Sequence, residues 1–145
     1  MPQAEPMTEH NTTSNEPTPT VWACVNYVDA PAAIEFLVAL GFRSTLTVPG
    51  DADGVVAHAE MRWPEGGGVM LGSNGRNESE FSEMPTGAAS IYVVTADPTA
   101  VHDRATALGA KVIRPMEETD YGSKQFAIAD AEGNLWCFGT YAGEP

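Results

Sequence analysis

The sequence predicts an α+β domain made of two βαβββ modules in tandem, and three observations predict it. Asp29-Ala30-Pro31-Ala32 … Ala39-Leu40-Gly41 recurs 68 residues later as Asp97-Pro98-Thr99-Ala100 … Ala107-Leu108-Gly109. Glu65-Gly66 recurs as Glu132-Gly133 at a spacing of 67. Each copy then runs through apolar residues to a glycine, Val69-Met70-Leu71-Gly72 in one and Trp136-Cys137-Phe138-Gly139 in the other. A repeat that keeps order, spacing and element type decides architecture ahead of local propensity. Residues 1–20 read as a disordered tail. Residues 21–145 read as a single domain, with module one at 21–84 and module two at 85–145.

The elements follow in order. Val21 to Val28, rich in Val and aromatics, predicts a strand. Asp29-Ala30-Pro31 opens a helix, since Asp caps an N-terminus and Pro is tolerated in the first turn. Ile34, Leu37, Val38 and Leu40 supply its buried face, and Gly41 ends it. Phe42 to Val48, Val55 to Trp63 and Gly68 to Leu71 predict three further strands, with turns at Pro49-Gly50-Asp51 and Pro64-Glu65-Gly66-Gly67. Polar residues 73–86 predict a linker. The second module repeats the order: a strand at Ala89 to Thr95 and a helix capped by Asp97-Pro98 that buries Val101, Ala105 and Leu108 and closes at Gly109. A strand follows at Lys111 to Arg114, then an acidic loop from Met116 to Gly122. A hairpin of Gln125–Ala129 and Leu135–Tyr141 turns at Asp130 to Asn134.

Composition narrows the function classes. A chain of 145 residues can bury roughly two-thirds of its surface. The tail, rich in Pro, Thr, Asn, Glu and Ser, cannot offset its ordering entropy by burial. The net charge is −13, and the 17 acids and 7 bases outside the tail leave −10. Such a field repels nucleic-acid phosphates and anionic lipid, so neither is an expected partner, and it favours cations. No run approaches the ~20 apolar residues of a membrane span. No basic region with an apolar core opens the chain, which predicts no signal peptide. Cys24 and Cys137 make no disulfide framework, and two reduced thiols fit a cytoplasmic protein.

One strand alternates cleanly. Val55, Ala57, Ala59, Met61 and Trp63 fall on one face, and Val56, His58, Glu60 and Arg62 on the other. The apolar face should pack under a helix, leaving the polar face to a cleft or to water. His58 and Glu60 then form either part of an ion-pair ladder with Arg62, a ligand contact, or a base and its orienting carboxylate. His10 lies in the tail, and His102 sits on the second helix beside Asp103.

The two modules, their Asp-Ala-Pro and Asp-Pro helix starts, and the terminal Asp130-Ala131-Glu132-Gly133-Asn134-Leu135-Trp136 together resemble the glyoxalase/bleomycin-resistance proteins of the vicinal oxygen chelate superfamily, over residues 21–142. His58-Ala59-Glu60-Met61-Arg62 … Gly68-Val69-Met70-Leu71-Gly72 carries the same resemblance. It implies curled mixed sheets around a shared cleft, half-sheets paired across a homodimer, and in the enzymes a divalent metal held from the first and last strand of each module. The matching positions here are Trp22, Met70, Ser90 and Cys137. An indole does not ligate, serine is a poor donor, and one thiol with one thioether does not hold a hard ion, so no metal and no other cofactor is expected. Trp22, Cys24 and Asn26 share one face, as do Ser90, Tyr92 and Val94, and the resemblance turns these faces toward the cleft. The expected ligand contacts are Trp22, Cys24, Asn26, His58, Glu60, Arg62, Met70, Ser90, Tyr92, Phe126 and Cys137. The resemblance then implies a metal-free protein that binds a small molecule, a cationic or aromatic antibiotic among the candidates. The alternative is a glyoxalase-like lyase or isomerase using His58 and Glu60.

Overall fold

A computed structural model describes residues 17–145; most of the tail, including His10, lies outside the described residues. The chain runs β1 (Ala23–Tyr27), α1 (Ala30–Leu40), β2 (Arg43–Pro49), β3 (Val56–Arg62), β4 (Gly68–Ser73), β5 (Ser90–Val94), α2 (Pro98–Ala107), β6 (Lys111–Glu118), β7 (Lys124–Ala129) and β8 (Leu135–Gly139). This is βαβββ twice. The first sheet is ordered β1-β4-β3-β2 and the second β5-β8-β7-β6, each with one parallel pair, β1 with β4 and β5 with β8. No helix among the described residues is long and apolar enough to cross a membrane.

The two helix starts are chemically alike. Asp29 Oδ1 accepts from Ala32 N and Asp97 Oδ1 from Ala100 N, each at 3.1 Å, which satisfies one orphan amide per helix. Gly41 ends α1 at φ 134°, and a Cβ there would stand 2.9 Å from the Arg104 guanidinium. The buried stripe of α1 is Ala30, Ala33, Leu37 and Leu40. Burying each of the two leucines contributes about 2 kcal/mol. Val38, expected on this stripe, is exposed because it lies a further ~100° around the helix from Leu37. Leu108, expected to be buried, is the exposed C-cap of α2.

The sheets present their helix-side faces to one common core. Phe42 packs on Trp63 and Trp136, and Trp63 on Phe138, so aromatics of both modules interleave. Arg104 Nε on α2 donates to Leu40 O on α1 at 2.8 Å. The repeated Glu-Gly pairs fasten this arrangement from both sides. Glu132 in module two accepts the amides of Val28 and Asp29 ahead of α1, and Glu65 in module one accepts the amide of Ala96 ahead of α2. Each carboxylate sits where the helix dipole favours negative charge.

Two further expectations are corrected. The strand read as Lys111 to Arg114 continues through Met116 to Glu118, because Glu117 and Glu118 pair with Gln125 and Lys124. Pro115 is tolerated there since β6 is an edge strand with a register shift beside it. Residues 73–86 are more than a spacer. Ser82 is fully buried and its Oγ donates to Asn77 O, Gly75 N donates to Ser82 O, and the segment is bonded to β1.

Candidate functional site

Side chains on a strand alternate, so every residue whose neighbours enter the core itself faces away from it. On β1 the core takes Val25 and Tyr27, leaving Trp22, Cys24 and Asn26 on the other face, which also carries Met70 on β4 and His58 and Glu60 on β3. The register aligns them. Cys24 stands opposite Met70, and Met70 opposite Glu60; Asn26 stands opposite Gly72. His58 Nε2 and Glu60 Oε2 are 2.8 Å apart and both side chains are partly exposed. In module two Tyr92 stands opposite Cys137, and Cys137 opposite Ala127. Burial pushes the Cys137 thiol up, Arg114 offsets part of this, and Glu117 adds to it.

Several expected contacts sit differently. Phe126 is 1% exposed and stacks on Phe138, on the core side of β7; one position of strand phase puts it under α2 rather than in the cleft. Arg62 is 8% exposed, and its Nη2 donates to Pro17 O at 3.0 Å, so the described end of the 1–20 segment covers it. Asn26 has its side chain committed: Nδ2 donates to Phe81 O and Met84 O, and Oδ1 accepts from Arg76. It holds the linker against β1. Trp22 lies over Gly68, where a Cβ would stand 2.7 Å from its ring. Ser90 is exposed beside Leu135 at the start of β5. His102 packs edge-on against Phe126, away from the cleft faces.

The linker supplies residues that the sequence reading missed. A cavity of about 700 Å³ opens between β1 and the linker, lined by Cys24, Asn26, Arg76, Phe81, Met84 and Ala89 among others. Phe81 is 77% exposed although it faces this space. A Phe and a Met within a polar linker were the only available signal.

The structure brings together Cys24, Met70, Glu60 and His58 in module one, and Tyr92 with Cys137 in module two. It does not join the two groups. Because the sheets share a core through their helix sides, each group looks outward from it, and one chain carries two half-clefts. The parallel register also puts Cys24, rather than Trp22, beside Met70, and Tyr92, rather than Ser90, beside Cys137. The donors are then a thiol or an indole, a thioether, a phenol or hydroxyl and the Cys137 thiol, with one carboxylate, Glu60, already engaged by His58. That set does not fit a hard divalent ion. Among the described residues no three His, Cys, Asp or Glu side chains cluster as metal ligands.

Comparison with known proteins returns one architecture. A model of the Glyoxalase/Bleomycin resistance protein/Dioxygenase superfamily matches residues 19–138. Among solved structures, TioX from Micromonospora sp. ML1 is 28% identical with a TM-score of 0.71, over 84% of this chain and 98% of that one. A bleomycin resistance determinant encoded on the transposon Tn5 is 12% identical with a TM-score of 0.64, over 87% of this chain and 100% of that one. A superfamily member from Sphaerobacter thermophilus DSM 20745 is 20% identical with a TM-score of 0.61, over 85% and 97%. No curated protein matches the chain.

Proposed function

The chain belongs to the glyoxalase/bleomycin resistance protein/dioxygenase superfamily, and from that membership we propose that it is a metal-free small-molecule-binding protein that sequesters an aromatic or cationic antibiotic. The observation that carries this reading is the row Cys24–Met70 with its counterpart Tyr92–Cys137. At the centre of each half-cleft stand polarizable and aromatic groups suited to dispersion and stacking, where an oxygen-chelating enzyme needs hard donors. In a homodimer, module one of one protomer would face module two of its partner. Trp22, Cys24 and Met70 would then oppose the partner's Tyr92 and the partner's Cys137 across one ligand. Stacking between two aromatic walls orients a planar molecule, and the negative surface raises the local concentration of cations.

The short His58–Glu60 bond favours a second reading, a lyase or isomerase. There Glu60 would orient His58, and His58 would take a proton from carbon next to a substrate carbonyl and return it at the adjacent position.

Two measurements on the purified protein test the pair of readings. The binding reading expects less than about one-tenth equivalent of Ni, Zn, Mn or Fe per chain, and saturable binding of at least one aromatic antibiotic with loss of affinity in Trp22→Ala. One equivalent of cleft-bound metal, or turnover of a hemithioacetal that His58→Gln abolishes, would overturn it in favour of the enzyme.

A further inference from the structure

We propose that the cavity between β1 and the linker selects an acidic ligand, a planar aromatic carrying a carboxylate, with Arg76 as its anchor; this deepens the binding reading above and rests on it.

Among the described residues that line this cavity Arg76 is the only charged one; Phe81, Met84, Pro85 and Ala89 give it an apolar wall, and Asn26, Ser79 and Asn134 are its neutral polar groups. Its guanidinium is held in one orientation. Nη1 donates to Asn26 Oδ1 and to Ser73 O, both at 2.9 Å. No further acceptor among the described residues takes the N–H groups of Nε and Nη2. Those two nitrogens form one edge of the planar fork, the edge that matches both oxygens of a carboxylate. Gly72 makes the placement possible: a Cβ there would stand 2.9 Å from both Cζ and Nε, so the guanidinium lies flat on the cleft face of β4. The cation is therefore fixed by protein carbonyls on one side and offered to the cavity on the other. Asn26, committed to Arg76 and to the linker carbonyls at once, couples the shape of the apolar wall to the aim of the fork.

The overall charge of −13 argues for a cationic ligand at long range. Range decides between the two effects. Exposed charges farther off than a Debye length, about 8 Å at physiological salt, are largely screened, whereas a bidentate contact inside a partly enclosed cavity is not. Diffuse acidity bears on encounter, and the fork bears on what stays bound.

The test uses the full chain and three probes with one aromatic body: 2-naphthoate, 2-naphthylmethanol and 2-naphthylmethylammonium, titrated by calorimetry or tryptophan fluorescence. The expected result is naphthoate binding at least about tenfold tighter than the ammonium. Arg76→Gln should bring the three within about threefold of one another, mainly by weakening naphthoate. Arg76→Lys should keep the preference for the anion at severalfold lower affinity, because an ammonium lacks the fork. That variant carries the test if Arg76→Gln loosens the linker, since a purely structural loss would weaken the alcohol as much as the acid. An ammonium that binds as tightly as naphthoate, or an unchanged ratio in Arg76→Gln, overturns the assignment of Arg76. Equal binding of all three by the wild type leaves the cleft standing and removes the acid; no binding of any probe below millimolar removes both.

Discussion

Asp130 is where single atoms hold the two modules together. Its carboxylate accepts from Tyr27 Oη at 2.8 Å, Trp136 Nε1 at 3.1 Å, Asn134 Nδ2 at 3.1 Å and the amides of Glu132 and Asn134 at 3.0 Å each. Tyr27 and Trp136 are almost wholly buried, so their polar atoms have no water to fall back on. Asp130→Ala strands both, at about 1–3 kcal/mol for each unsatisfied group. Urea unfolding should show a loss of at least about 2 kcal/mol, with Asp130→Asn intermediate. Tyr27 adds a pH signature. Burial first, and then the charge of Asp130, hold its phenol far above the usual value of 10.0. A raised folded-state pKa means that this stability is complete below the unfolded phenol's pKa and fades as pH climbs from about 10 toward the folded value. Thermal melts should fall more steeply above pH 10 in the wild type than in Tyr27→Phe. The sequence marked Asp130 only as a turn residue, because its key partner Tyr27 lies 103 positions away and local pattern carries no such distance.

Elements were legible to the extent that their signals were local or repeated. The helix caps at Asp29 and Asp97, the strand alternation around Ala59 and Met61, and the turn glycines all act within a few residues, and the repeat doubled each of them. What failed was settled by neighbours: β6 extends through Pro115 because β7 offers partners, and 73–86 is shaped by Asn26 and Arg76. The Glu65–Glu132 repeat was visible while its purpose was not, since each carboxylate serves the opposite module. That exchange is testable. Glu132 takes two amides with a charge-assisted bond to each, whereas Glu65 takes one amide and the Trp63 indole. Glu132→Gln keeps the shape but offers only one oxygen, so it should cost about 1 kcal/mol in chemical denaturation. Glu65→Gln should cost less, because Glu65 is exposed and salt screens its charge. No loss in either would mean that packing of Trp63 and Phe138 alone fixes the modules, and equal losses would mean that exposure does not weaken the Glu65 contacts.

At the scale of the molecule the unfinished feature is the outward half-cleft. Among the described residues β1 and β5, like β2 and β6 at the far ends of the sheets, each have one strand neighbour, and Tyr92, Val94 and Leu135 on the cleft side of module two are each at least 40% exposed. Unpaired edges and exposed apolar side chains on one surface are what a second copy covers. A two-fold dimer would bury both surfaces at once and make two equivalent clefts, each with walls from both protomers. Light scattering at tens of micromolar should therefore give twice the 15.4 kDa chain mass. A sharper consequence follows from linkage. If the ligand touches both protomers it binds the dimer better than the monomer, so it must strengthen association by the same free energy that dimerisation adds to its own binding. Sedimentation equilibrium with a saturating aromatic ligand should lower the dimer dissociation constant by a factor of ten or more. Val94→Asp, which places a charge on the apolar face of β5, should weaken the dimer and the ligand together. A monomer that binds the ligand with undiminished affinity at high dilution would show that one chain holds the whole site, and that the two half-clefts act separately.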